Sequence, residues 1–229
     1  MIISGIQKLT ALDFPDRLAC TVFSPGCNMR CPFCHNASLV LSPSDEQISE
    51  DELFSLLKTR RGILDGVCFT GGEPLLQKGI DDVMRRTKEL GFLVKLDTNG
   101  TMPDRLAALL DEGLVDFVAM DVKNSPEKYP LTCGLPSFDM GPVTASRDIL
   151  LSGKTDYEFR TTVVNELHTL DDILGAAKWI QGAKRWFLQC FKDSGDIIGS
   201  GLTPPDASLL EEMKRAAAPF VEVVEIRGI

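Results

Sequence analysis

The 229-residue sequence has no excess of basic charge: 24 Lys and Arg stand against 33 Asp and Glu, a formal net charge of −9. Binding nucleic acid through its phosphates requires clustered Lys and Arg, so that partner class is not expected. No stretch approaches the ~18 apolar residues that a membrane-spanning helix needs, so no membrane partner is expected either. The first residues, "MIISGIQKLTALDFPDRLACTVF", lack a basic segment followed by an unbroken apolar run. No secretory leader is therefore expected, and the expected location is the cytoplasm. Reducing conditions there disfavour structural disulfides for the seven cysteines. Apolar residues make up 44%, enough for a sizeable core in a chain of this length.

Strand-like and helical runs alternate along the chain. Residues 18–24 are rich in strand formers and end at Pro25-Gly26. "SEDELFSLLKTR" carries a capping-box pattern, Ser49 with Glu52 three residues on, and Leu53, Leu56 and Leu57 on one face. Further strands are expected at 66–70, 92–98, 115–122, 157–164, 185–191 and 221–226. Helices are expected at 80–90, from Pro103 to about Gly113, and at 144–151, 170–181 and 206–217. Residues 124–141, rich in Pro and Gly, are expected to be a long loop. About seven strands joined by helices specify α/β architecture with parallel strands and crossover helices. No linker divides the chain, so residues 1–229 are expected to form one domain. Periodicity leaves doubly wound sheet and barrel both open; in either, functional loops collect at the carboxyl ends of the strands.

The unusual residues fall at those ends. Cys27, Cys31 and Cys34 follow the first predicted strand and "TGGEP" (70–74) the second. "DTNG" (97–100) ends the third, "DVK" (121–123) ends the fourth, and Arg160 lies within the fifth. Taken singly, each has a bland reading: a turn at Gly71-Gly72 or Asn99-Gly100, a surface pair at Asp121 and Lys123, a rim residue at Arg160. Their common location points to a shared site.

The cysteine loop "CNMRCPFCHN" reads as C-x-x-x-C-x-x-C. Cys31 to His35 alone match the C-x-x-C-H of covalently attached haem, but that attachment goes with export. A tetrahedral zinc site needs four protein ligands; His35 adjoins Cys34 too closely to close on the same ion, and no second cysteine pair has zinc-ribbon spacing. Cys20, Cys68, Cys133 and Cys190 are scattered, and free cysteines pack well in cores. Three thiolates fit a cubane iron–sulfur cluster with its fourth iron open to a small molecule.

With these residues in place, "CNMRCPFC" together with "GGEP" resembles the radical S-adenosylmethionine superfamily. "LTALDFPDRLACTVFSPGCNMRCPFCHN" is similar to the activating proteins of anaerobic ribonucleoside-triphosphate reductase, with pyruvate formate-lyase activating enzymes as near relatives. The resemblance runs from about residue 4 to 192. It implies a partial (β/α)6 TIM-like barrel. It implies a [4Fe–4S] cluster on Cys27, Cys31 and Cys34, with S-adenosylmethionine chelated to the unique iron. Phe33 matches an aromatic near the adenine. Gly71 and Gly72 match a backbone approach to the methionine moiety, and Glu73 an acceptor for its amino group. Asp97, Thr98, Asp121 and Lys123 match residues around the methionine carboxylate, where the aspartates help to hold a monovalent cation. Arg160 matches a residue near the ribose. A histidine that one relative carries on its sixth strand has no counterpart in "LQCF", which leaves Gln189 or backbone in its place.

The chemistry implied is reductive cleavage of S-adenosylmethionine to a 5′-deoxyadenosyl radical, which abstracts hydrogen from a backbone glycine of a partner enzyme. A flavodoxin- or ferredoxin-type donor is implied as the electron source. No catalytic side chain beyond the cluster and cofactor is required, which suits a chain with only two histidines. His35 could hydrogen-bond near the cluster; His168 has no expected function. Two other readings stand beside this one: a radical enzyme acting on a small molecule, of the 7-carboxy-7-deazaguanine synthase kind, and a non-enzymatic zinc- or haem-binding module.

Overall fold

The computed structural model describes residues 1–42 and 47–229. Eight strands form one sheet: β1 (Gly5–Thr10), β2 (Ala19–Ser24), β3 (Gly66–Gly71), β4 (Leu93–Thr98), β5 (Phe117–Asp121), β6 (Asp156–Val163), β7 (Arg185–Cys190) and β8 (Val223–Arg227). Their spatial order follows the sequence, β1 to β8. A doubly wound sheet reverses its strand order at a switch point; this one does not, so the alternative left open by the sequence resolves to the barrel type. β1 and β8 are both edges, so the barrel is partial. β2 to β8 run parallel, and β1 pairs antiparallel to β2 with a break in register between Gln7 and Thr10.

α1 (Ala37–Leu41) and α2 (Glu50–Thr59) connect β2 to β3, and α3 (Ile80–Glu89) and α4 (Pro103–Asp111) make the next two crossovers. α5 (Tyr129–Thr132) and α6 (Met140–Leu151) precede β6, and α7 (Leu170–Trp179) and α8 (Ala207–Ala217) complete the set. Six of the helices, α2, α3, α4, α6, α7 and α8, overlap those that the local signals predict. The Ser49–Glu52 capping box forms in both directions, and a second joins Thr169 to Asp172 at the start of α7. Three elements lie outside those expected from the sequence: β1, α1 and α5. β1 is an edge strand with Gln7, Lys8 and Leu9 exposed, so it carries no buried apolar face to reveal it. α1 has five residues, too few to show a period. The 124–141 segment is irregular apart from α5 and the first turn of α6, which begins four residues before the expected 144. Among the described residues no helix is long and apolar enough to cross a membrane.

The barrel interior is sealed at one end and polar at the other. Phe14, Ala19 and Phe117 form a small apolar cluster with Leu93, all at or before the amino ends of their strands. The Phe14 and Phe117 rings lie 6.0 Å apart. Side chains alternate across a strand, so Lys95 and Asp97 share the inward face of β4 and follow this plug toward the carboxyl end. Access to the interior is thereby set at the end that carries the cysteine loop.

Candidate functional site

The cysteine loop leaves β2 through Pro25-Gly26 and is tied to three neighbours by its own backbone. The Gly26 carbonyl accepts from the Glu73 N–H at 2.8 Å, the Cys133 carbonyl accepts from the Arg30 N–H at 2.9 Å, and the Pro32 carbonyl accepts from the Gly199 N–H at 2.7 Å. Gly72 is needed at the first contact: a Cβ there would lie 1.9 Å from the Gly26 carbonyl oxygen. Gly134, at φ +71°, is needed at the second, where a Cβ would lie 2.1 Å from the Arg30 carbonyl oxygen. The family resemblance implies that the Gly71-Gly72 pair admits the methionine moiety. The structure shows that the missing side chain of Gly72 first admits the cysteine loop. Gly72→Ala is expected to cost about 1–3 kcal/mol as an overpacked site and to lower iron incorporation, measured by thermal melting and by iron per chain.

All seven cysteines are free thiols. Burial pushes the Cys31 thiol up to about 12; Lys123 opposes this, and Cys27, Cys34 and Cys133 reinforce it. A thiol so hard to ionise alone ionises when a metal takes the charge. The Cys27 sulfur receives the Met29 N–H at 3.4 Å and the Asn99 amide at 3.7 Å, and such donors to sulfur tune iron–sulfur sites. Among the described residues no three His, Cys, Asp or Glu side chains converge on a single ion. Three thiols in one loop are a donor set that an iron–sulfur cube can take, one thiolate per corner.

Facing the loop is a cavity of about 400 Å³. It brings together Phe33, Gly71, Gly72, Asp97, Thr98, Asp121, Lys123 and Arg160, as well as Cys34, His35 and Gln189. Gln7, Asp13 and Thr21 line it from the β1 side and were not singled out in the sequence. Of the predicted nucleotide-contacting residues Glu73 does not line it, and of the three loop cysteines only Cys34 does. The Glu73 carboxylate is fully buried and accepts from the Leu75 N–H at 3.0 Å, the Thr98 hydroxyl at 2.9 Å and the Asn99 N–H at 2.7 Å. Burial raises Glu73 to about 7, against the pull of those hydrogen bonds. The expected direct acceptor is thus a latch between the ends of β3 and β4.

The cavity wall opposite Phe33 is a chain of charges. Lys95 Nζ meets Asp97 Oδ1 at 2.6 Å, and Asp97 Oδ2 meets Arg160 Nη1 at 2.9 Å. Arg160 reaches Asp121 Oδ1 at 3.2 Å, and Asp121 Oδ2 meets Lys123 Nζ at 2.8 Å. Asp121 and Arg160 are register partners on β5 and β6, which fixes the bridge. Burial alone would raise both aspartates, but the cations around them win and hold both below the usual carboxylate range. Burial would lower Lys123 and Arg160, and the aspartates reverse that. Three cations against two anions leave one positive charge in the chain. Lys123 stands at the cavity end, its Nζ 5.9 Å from the Phe33 ring centre. Lys95 is 1% exposed and was missed in the sequence, although its two-residue spacing from Asp97 was the available signal.

Comparison with known proteins agrees with this geometry. Residues 21–140 match the model of the radical SAM superfamily. The chain is 32% identical to a Methanocaldococcus jannaschii protein named as a candidate glycyl-radical enzyme activating enzyme, over 100% of this chain and 96% of the relative. It is 30% identical to the pyruvate formate-lyase-activating enzyme of Clostridium pasteurianum over about half of each, 53% and 52%. In fold it is similar to Streptococcus suis SuiB bound to its precursor peptide, at TM-score 0.71 and 13% identity over 91% of this chain and 48% of that one. It is also similar to a domain of a Bacteroides vulgatus pyruvate-formate lyase-activating enzyme, at TM-score 0.58 and 16% identity over 71% and 99%. Three thiols beside a charged cavity at the open end of a partial barrel, and similarity along the full length of an activating enzyme, lead to one conclusion: the chain belongs to the radical SAM superfamily, within its glycyl-radical enzyme activating group.

Proposed function

We propose that the chain generates a glycyl radical in a large partner enzyme, and that this partner is anaerobic ribonucleoside-triphosphate reductase. The full-length similarity to an activating enzyme carries the general reading. The likeness of "LTALDFPDRLACTVFSPGCNMRCPFCHN" to reductase activating proteins supports the specific one.

In this reading Cys27, Cys31 and Cys34 hold a [4Fe–4S] cluster. When bound, the cluster and S-adenosylmethionine supply the one-electron reductive cleavage that yields a 5′-deoxyadenosyl radical. The chain's own residues bind and orient. The Lys123 ammonium, which lines the cavity, is suited to the methionine carboxylate. Asp97, Asp121 and Arg160 hold that lysine in place, and Arg160 also offers donors toward the ribose. Phe33 gives the adenine an apolar surface. Glu73 acts indirectly, by fixing Thr98 and Asn99, and Gln189 lies where a sixth-strand contact is wanted. A monovalent cation at Asp97 and Asp121 belongs to the same reading, but both carboxylates already share Arg160, so the ion would have to displace one of these pairings. A flavodoxin- or ferredoxin-type protein completes the scheme as electron donor.

The test is anaerobic. Reconstituted protein, a chemical reductant, S-adenosylmethionine and the reductase are mixed and frozen for electron paramagnetic resonance. A glycine-centred doublet on the reductase is expected. Nucleotide cleavage without that doublet, on this or any other glycyl-radical partner, would sink the activase reading. The small-molecule alternative draws on a match to the 7-carboxy-7-deazaguanine synthase of Methanopyrus kandleri, 35% identical over 43% of this chain. That match spans less than half the chain, so the activating-enzyme reading is preferred.

A further inference from the structure

One buried titratable residue has no place in this scheme. His168 follows β6 and is 2% exposed. Its Nε2 lies 2.9 Å from the Lys123 carbonyl and its Nδ1 lies 3.1 Å from the Val164 N–H. A carbonyl must receive a proton and an N–H must give one, so the ring is the neutral tautomer with hydrogen on Nε2. The opposite tautomer would aim Nδ1–H at the Val164 carbonyl at 3.3 Å, orphan the Val164 N–H, and turn a lone pair on the Lys123 carbonyl. Burying an imidazole is costly unless both nitrogens are satisfied. Here both are, and each ties a different loop.

The Lys123 contact is one of a series. The Asp121 carbonyl accepts from the Tyr129 hydroxyl at 3.2 Å, and the Val122 carbonyl accepts from the Thr161 hydroxyl at 2.6 Å. The Thr161 hydroxyl is itself oriented by the Trp186 N–H at 2.9 Å. Asn124 then donates to the Leu167 carbonyl at 3.0 Å. Three consecutive carbonyls, those of Asp121, Val122 and Lys123, are thus each clamped by a different buried side chain. This is the segment whose side chains end the charged wall. The imidazole also stands edge-on to Phe33, with ring centres 6.4 Å apart. His168 therefore touches both sides of the cavity's nucleotide end from behind without lining the cavity.

We propose that His168 is a positioning residue for S-adenosylmethionine: its Nε2–H fixes the Lys123 peptide, and through it the ammonium that faces the cavity. This rests on the functional reading above. Burial lowers the imidazole's pKa, against the pull of its hydrogen bonds to Lys123 and Val164, so the neutral ring is the form present at neutral pH. The role belongs to the hydrogen bond rather than to ring bulk, so two amides separate its halves. Gln can keep a donor at the Nε2 position and loses the Nδ1 acceptor. Asn can keep the acceptor and loses the donor to Lys123.

The experiment measures equilibrium binding of S-adenosylmethionine to anaerobically reconstituted full-length protein, alongside the electron paramagnetic resonance spectrum of the reduced cluster with and without the nucleotide. His168→Asn is expected to weaken binding about tenfold, the order of one lost hydrogen bond. The loss should fall on KM, with kcat reduced less than about twofold, and His168→Gln should stay within about threefold of wild type. With Lys123→Met already present, His168→Asn should add less than about twofold, because its route to the nucleotide is gone. Unchanged binding by His168→Asn overturns the proposal. So do equal losses in Asn and Gln accompanied by equal falls in iron content and melting temperature, the signature of a plain structural brace. Should His168→Asn not fold, His168→Gln carries the test, and a tenfold loss in that variant overturns the proposal. Wild-type protein that holds its cluster but neither binds the nucleotide nor changes its spectrum overturns the functional reading and this inference together. Wild type that binds, beside a His168→Asn that binds equally well, overturns this inference alone.

Discussion

Cys31→Ala should abolish radical formation, with a fall of at least about 10³-fold, because the cofactor carries the hard chemistry. Iron should fall from about four per chain to well under one, and the broad absorption near ~400 nm should disappear. Circular dichroism of the iron-free chain should not change, since Cys→Ala at this buried site removes one sulfur from the core. The informative companion is Cys133→Ala. Cys133 is also buried, its carbonyl binds the Arg30 N–H, and its thiol is close enough to raise that of Cys31. If three thiols hold the cluster and the fourth corner is open, Cys133→Ala keeps its iron. Loss of iron in Cys133→Ala to the same extent as in Cys31→Ala would mean a fourth protein ligand, and no corner left for a nucleotide.

The second large effect is on stability. Asp97→Asn leaves Lys95 buried beside a neutral amide and removes one of the two carboxylates that hold Arg160. Breaking a buried ion pair by removing one partner costs about 3–5 kcal/mol. For a chain of this size each kcal/mol moves the melting temperature by about 2–4 °C, so a drop of roughly 10 °C is expected by calorimetry under argon. The double replacement Lys95→Met with Asp97→Leu removes a cation and an anion together, and should recover most of that loss. It should not recover nucleotide binding, because Arg160 then has Asp121 alone to orient it. A double variant as unstable as Asp97→Asn would show that the cost lies in packing and not in the stranded charge.

Much of the fold was legible because its signals are local. Ser49 with Glu52, Pro103 at a helix start and Gly91 after a helix each act within one turn of the chain, and each did what its chemistry requires. The three cysteines were legible for the same reason, being neighbours in one loop. β1 was not, since an exposed edge strand has no face to bury. Glu73 shows the limit within the site. Its motif marks where it sits, but hydrogen bonds from Leu75, Thr98 and Asn99, the last two far along the chain, decide that its carboxylate turns inward as a latch.

By itself the sequence determined most of the order of strands and helices and the gathering of its unusual residues at one end of a parallel sheet, among them a loop with three thiols. Those follow from spacing and from the alternation of apolar and polar residues. Only the tertiary structure decided that the strands wind in one direction, and that Lys95, Asp97, Arg160, Asp121 and Lys123 form one line of alternating charge. Nor could the chain order say that a histidine at 168 braces a lysine at 123. These side chains come from different strands and loops, and Coulomb interaction and hydrogen bonding act on distance in space, which the order of residues along the chain does not contain.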